Sequence, residues 1–135
     1  MITNVAHVCL IVNDLKRAMA FYRVRLGLPV AFEFRRPDGT VHGAYFKIGR
    51  RTFLELFEAK EPIPRTGGAY RHTCLEVDDI QKTVAELRER GVEVSEPKLG
   101  LDQSWQAWFE DPEGNRFELH QYTAESWQKP HLETE

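Results

Sequence analysis

Residues 7–15 read HVCLIVNDL and residues 72–80 read HTCLEVDDI. His, Cys, Leu, Val and the second Asp stand at matching positions, and Leu15 is answered by Ile80. Each stretch reads as an apolar, β-branched strand running into an Asp-capped helix, which accounts for the Cys, Leu, Val and Asp positions. The histidine is left unexplained, because an imidazole is an unusual residue with which to open a buried strand twice in one register. A unit recurring after 65 residues in a chain of 135 points to two copies of one module.

Outward from the first copy, Asn4 to Val12 is predicted as a strand and Leu15 to Leu26 as a helix. The helix carries Leu15, Met19, Tyr22 and Leu26 at three- and four-residue spacing, and Gly27 stops it. Pro29–Arg36, Gly43–Ile48 and Phe53–Phe57 follow as strands, separated by the turn signals PDGT at 37–40 and GRRT at 49–52. The second copy has a strand at His72–Val77 and a helix with the stripe Ile80, Val84 and Leu87, ended by Gly91. Strands at Val92–Ser95, Ser104–Phe109 and Asn115–Gln121 complete it, the last two joined by DPEG at 111–114. AKEPIPRTGGA at 59–69, with two prolines and two glycines, is the stretch that reads as a boundary. The expectation is one α+β domain of two βαβββ modules, 4–58 and 70–122, with a linker at 59–69 and a polar tail at 123–135.

Composition narrows the partners. Hydrophobic residues at 41% and charged residues at 29% are ordinary for a globular protein. A formal charge of -3, with no Lys/Arg stripe interleaved with aromatics, argues against a nucleic-acid partner. No apolar run approaches the roughly 20 residues that span a bilayer, and MITNVAHVC lacks the layout of a signal peptide. The expected compartment is the cytoplasm, with Cys9 and Cys74 as reduced core thiols.

Strand alternation puts His7, Cys9 and Ile11 on one face and Val8, Leu10 and Val12, which should meet the helix, on the other. The same parity turns His72, Cys74 and Glu76 away from the second helix. Glu55, inside FLELF at 53–57, lies 48 residues after His7, and Glu118, inside FELHQ at 117–121, lies 46 after His72. The acid therefore recurs in the repeat as the histidine does. A carboxylate held in an apolar strand is costly unless paired or metal-bound. Rim pairing with Arg51 or Arg116 would satisfy the acids but explains neither the histidines nor the repeat. Two imidazoles and two carboxylates form a charge-balancing set for a divalent transition ion, and ligand type leaves Zn, Ni, Fe, Mn and Co open. Phe53, Phe57, Trp105, Trp108 and Tyr122 are expected to line a small-molecule pocket. Arg116 and His120 share the face of Glu118 and offer contacts to an anionic group, and KLGLDQSW at 98–105 is a candidate lid.

The stretches HVCLIVNDL, FLELFE, RHTCLEVDD and DPEGNRFEL resemble the signatures of the vicinal oxygen chelate superfamily, and of its glyoxalase I branch, across residues 4–122. The resemblance implies the glyoxalase/bleomycin-resistance fold, with the two modules forming a cupped mixed sheet around a metal, Zn or Ni ahead of Fe, Mn or Co. It assigns His7, Glu55, His72 and Glu118 as the ligands, Glu118 as the catalytic base and Glu55 as the next candidate. In short members the cup forms between subunits, which implies a homodimer with the site at the interface. The implied reaction is lyase or isomerase chemistry without redox change: proton transfer through a metal-stabilised enediolate of a small oxygen-chelating substrate.

The pattern departs from glyoxalase I proper at two places. Where that enzyme carries Arg and Asn against glutathione, this chain has Ile11 and Ala59, so glutathione is not the expected carrier. Metal-free drug-sequestering proteins of the bleomycin-resistance kind share the fold but lack the His/Glu set. Extradiol dioxygenases and fosfomycin-modifying thiol transferases use two His and one Glu, which leaves Glu55 as an extra acid. Methylmalonyl-CoA epimerase is nearer, with Gln in place of Glu55.

Overall fold

The computed structural model describes residues 1–64 and 68–133. Residues 65–67 of the expected linker and 134–135 of the expected tail lie outside the described residues. The chain divides into two compact units, Met1–Gly67 and Gly68–Glu135.

Unit one runs β1 (His7–Val12), α1 (Leu15–Ala20) with a π-helical continuation over Phe21–Arg25, β2 (Val30–Arg35), β3 (Val41–Lys47) and β4 (Phe53–Glu58). Its sheet has the order β1-β4-β3-β2, parallel between β1 and β4 and antiparallel elsewhere. Unit two contains β5 (Thr73–Glu76), α2 (Ile80–Glu89), β6 (Lys98–Leu99), β7 (Trp105–Glu110) and β8 (Arg116–Gln121). Its order, β5-β8-β7-β6, repeats the first, again parallel only between the first and last strands. The fold is α+β, two βαβββ modules each built on a four-stranded mixed sheet, as the repeat predicts.

The local causes also repeat. Asp14 accepts from Arg17 N and Asp79 from Lys82 N, both at 3.0 Å, equivalent N-caps that contribute about 1 kcal/mol each. Gly27 and Gly91 follow the helices at φ 69° and 83°, the left-handed region that favours glycine at a helix end. The helix-facing side of each sheet forms the core: Leu10, Val12, Leu54 and Leu56 with Leu15 and Tyr22 in unit one, Ala107, Phe117 and Leu119 with Ile80 and Val84 in unit two. Each large apolar side chain buried this way contributes roughly 1.5–3 kcal/mol.

Three expectations are corrected. The first helix widens into a π turn from Phe21, with Leu26 N bonded to Phe21 O at 3.0 Å, and this turn carries two consecutive buried aromatics, Phe21 and Tyr22. Val92–Ser95 is not a strand: the Val94 carbonyl is taken by the Arg88 guanidinium at 2.8 Å, Trp108 N is taken by the Ser95 hydroxyl at 2.8 Å so that Ser95 makes a single backbone bond to Trp108, and the strand ladder begins at Lys98. Val92 and Val94 are nonetheless buried, which is why their alternation imitates a strand. Cys9 and Cys74 are exposed rather than core, because they share the histidine face of their strands. Among the described residues, no helix is long and apolar enough to cross a membrane.

Candidate metal centre

Parallel pairing of first and last strands brings residues distant in the chain together twice. In unit one, β1 and β4 pair with Cys9 opposite Glu55, so His7, one step diagonal, reaches the same carboxylate. His7 Nε2 lies 3.5 Å from Glu55 Oε1. In unit two, Cys74 stands opposite Glu118 and His72 precedes the strand, with Nε2 at 3.3 Å from Glu118 Oε1. Both separations exceed the 2.7–2.9 Å typical of charge-assisted hydrogen bonds. The 3.3 Å pair falls within, and the 3.5 Å pair lies just above, the roughly 3.0–3.4 Å between two donors that each sit about 2.1 Å from one ion. In both pairs the histidine side chain is the more open member, 42% and 35% exposed, and the carboxylate the sheltered one, 14% and 12%. The donor set therefore fits a divalent ion in chemistry and in spacing.

The outer contacts differ. His7 Nδ1 meets the Tyr45 hydroxyl at 3.1 Å, which leaves Nε2 free to face Glu55. In unit two it is the carboxylate that is held: His120 Nδ1 lies 3.0 Å from Glu118 Oε2. The thiols beside the acids are pushed up, Cys9 to about 11 and Cys74 to about 12, first by burial and then by the neighbouring Glu55 or Glu118. Cys74, Glu118 and His120 also bring ligand atoms within 4.8 Å of one another. That cluster shares Glu118 with the His72 pair.

The remaining site candidates divide between faces. Phe53 and Phe57 flank Glu55 on β4, where Tyr45 and Phe34 join them at ring separations of 5.5 and 4.9 Å. Phe57 lies so closely over Gly43 that a Cβ there would meet its ring at 2.6 Å. In unit two, Trp108, His120 and Tyr122 line a cavity of about 560 Å³ together with His72 and Glu118. Trp105 does not join them: it shares the face of Ala107 and Phe109, because it lies three positions before Trp108 and alternation reverses its direction. Arg116 is exposed and packs its guanidinium over the Trp108 ring at 4.4 Å.

Sequence reasoning passed over Asp102 and Tyr45. Asp102 sits in the 98–105 stretch read as a lid. This is a tight turn, with Gly100 N bonded to Ser104 O at 2.8 Å, tied to the tail by Trp127 N on Asp102 O at 2.9 Å and Thr123 Oγ1 on Gln103 O at 2.7 Å. Tyr45 was visible only as the partner of Glu55 across β3 and β4.

A family model matches residues 4–119. The chain belongs to the Glyoxalase/Bleomycin resistance protein/Dioxygenase superfamily. Divalent-metal binding is typical of that superfamily, and its proteins bind small molecules and commonly form dimers. Among curated superfamily relatives, the mitochondrial methylmalonyl-CoA epimerase of Bos taurus is 30% identical over 70% of this chain and 59% of its own length. The metallothiol transferase FosB of Staphylococcus epidermidis is 30% identical over 88% of this chain and 82% of its own. The chain thus spans between about half and three fifths of the length of the mammalian epimerases it matches, 59%, 58% and 53%. Among solved structures, an antibiotic binding protein from Streptomyces sp. CB03234 superposes with a TM-score of 0.74 at 30% identity, covering 90% of this chain and 98% of that one. A lactoylglutathione lyase from Agrobacterium tumefaciens gives 0.64 at 30% identity, over 88% and 93%.

Proposed function

We propose that this superfamily member is a divalent-metal-dependent lyase or isomerase of the glyoxalase I type, which moves a proton between adjacent carbons of a small oxygen-chelating substrate. The carrying observation is the duplicated pair: His7 with Glu55 at 3.5 Å and His72 with Glu118 at 3.3 Å. In this reading the two pairs complete one ligand set, in a cytoplasmic homodimer whose site lies at the subunit interface and whose modules span 4–58 and 70–122. When bound, Zn or Ni, or else Fe, Mn or Co, supplies positions for two substrate oxygens and acidifies the neighbouring C–H.

The chain's own residues do the rest. Glu118 takes the proton from carbon and returns it, and Glu55 offers a second carboxylate where removal and return occur on different faces. His120 holds Glu118 Oε2, so the carboxylate keeps Oε1 toward His72. His7 is steadied by Tyr45 in the same way. Phe53, Phe57, Trp108 and Tyr122 give the substrate an aromatic surround that excludes water. Ile11, exposed on β1, and Ala59 present no charge or amide to a glutathione carboxylate, which favours a different substrate.

The lyase and epimerase relatives support the proton-transfer reading. The likeness to an antibiotic binding protein favours a second one, a small-molecule binding module without chemistry. Elemental analysis of protein purified without chelator, beside a Glu55→Ala/Glu118→Ala double variant, separates the two. Near-stoichiometric metal that disappears in the variant, with hemithioacetal isomerisation or α-proton exchange on methylmalonyl-CoA restored by Zn or Ni, is the expected result. Metal-free protein that stays inactive on reconstitution leaves the binding module.

A further inference from the structure

The outer wall of the unit-two cavity is made by two segments that lie outside the strands. Leu101 and Asp102 come from the turn at 100–104, Trp127 and Gln128 come from the tail, and all four line the space that holds His72 and Glu118. The segments are fastened to each other. Thr123 Oγ1 donates to Gln103 O at 2.7 Å, Trp127 N to Asp102 O at 2.9 Å and Gln128 Nε2 to Asp102 Oδ2 at 2.6 Å. At the base the Ser104 and Ser126 hydroxyls meet at 2.7 Å, and both residues are buried. On the sheet side the turn passes so close to β7 at Gly100 that a Cβ there would run into the Gln106 side chain.

Two features mark this wall as one that opens. Among the described residues Gln103 is the one non-glycine residue with a left-handed backbone, at φ 66°. That conformation is costly and persists only where the surroundings impose it. The carbonyl that Thr123 holds is that of Gln103 itself, so strain and restraint fall on one residue. Leu101 and Trp127 are 84% and 62% exposed, so little apolar burial keeps the wall shut. Segments closed by polar bonds rather than by burial open first. The buried Ser104–Ser126 pair roots the tail and leaves Gly100–Gln103 as the part free to swing. We propose that residues 100–103 are a gate over the His72–Glu118 cavity, that Thr123 and Gln128 are its latch, and that the gate limits by size what reaches the pair. This concerns access to the cavity and stands apart from the proposed reaction.

The test compares the full chain with Thr123→Val and Gln128→Ala, each of which removes one latch bond. The first measurement is amide hydrogen exchange. The Gly100, Gln103 and Trp127 amides, bonded to Ser104 O, Gly100 O and Asp102 O, are expected to exchange together and ahead of β7 and β8. Each variant should speed those three amides about tenfold and leave β7 and β8 as they were. The second measurement is size-dependent labelling of Cys74, which lines the cavity, against Cys9, which faces Glu55 in unit one as Cys74 faces Glu118. With chelator present, so that a bound ion shields neither thiol, the Cys74-to-Cys9 rate ratio should be lower for N-(1-pyrenyl)maleimide than for N-ethylmaleimide, and the variants should narrow that gap. Four outcomes overturn the gate: turn amides unchanged in both variants, β7 and β8 sped as much as the turn, no size discrimination at Cys74 in the parent protein, or the same discrimination in the variants.

Discussion

The two units make the same His–Glu pair and hold it by opposite ends. In unit one the outer hydrogen bond falls on the histidine, from Tyr45 to His7 Nδ1, and the surroundings of Glu55 are aromatic. In unit two it falls on the carboxylate, from His120 to Glu118 Oε2, and polar groups stand among the aromatics, with Asp102 fixed by Gln128. Strand order, capping and ligand register were copied; the support around them was not. The lesson is that backbone pairing brings each histidine to its carboxylate, whereas the side chains one layer out decide which member of each pair is steadied.

The largest difference should appear in catalysis. Glu118→Gln is expected to lower α-proton exchange into deuterated solvent by about 10²–10⁴-fold, the range for loss of a general base, and Glu55→Gln by less. Equal losses would make the two carboxylates equivalent and break the asymmetry. Next come the outer partners. His120→Ala should weaken metal affinity by about 10–100-fold in competition with a chromogenic chelator, and Tyr45→Phe should fall at or below the low end, because Tyr45 acts on a more open group. The reverse order would assign the anchoring role to unit one.

Stability should separate the units next. Ser126 is buried, with its hydroxyl 2.7 Å from that of Ser104 and accepting from Thr123 N at 2.7 Å. Ser126→Ala should cost about 1–3 kcal/mol in urea unfolding, and a neutral result would detach the tail from the stability of unit two. The smallest effect concerns the thiols. Because their pKa values are raised, to about 11 for Cys9 and about 12 for Cys74, alkylation of metal-free protein at pH 8 should lag behind a free thiol. It should rise with pH, Cys9 ahead of Cys74. Rapid reaction at pH 8 would remove the protection that the carboxylates and partial burial are taken to give.

Much of this arrangement is written in patterns that repeat. A strand of period two, a capped helix and a glycine stop recur together, so the modules and the faces of His7 and His72 follow from alternation alone. The acids were legible because each recurs at nearly the same distance from its histidine. What resisted reading depends on single side-chain contacts. Val92–Ser95 carries a strand's alternation, and nothing in those four residues says that Arg88 takes the Val94 carbonyl. Trp105 and Trp108 look equivalent as aromatics until their spacing of three sets them on opposite faces. Asp102 is one acid in a polar turn, and its place beside His120 comes from tail residues more than 20 positions away, with Gln128 bonded across a separation of 26.

The parallel pairing of first and last strands has a consequence for the order of events during synthesis. In each module the paired His and Glu come from the first and last strand segments, which enclose the rest of it, 48 residues apart in unit one and 46 in unit two. Closing a loop of that length costs roughly 3 kcal/mol in chain entropy before the contacts it brings can repay it. Neither His–Glu pair can exist on a nascent chain until the last strand of its module has emerged and docked beside the first. On the proposed reading, metal capture waits until each module is complete, which protects the half-made chain from being trapped by an ion in the wrong topology.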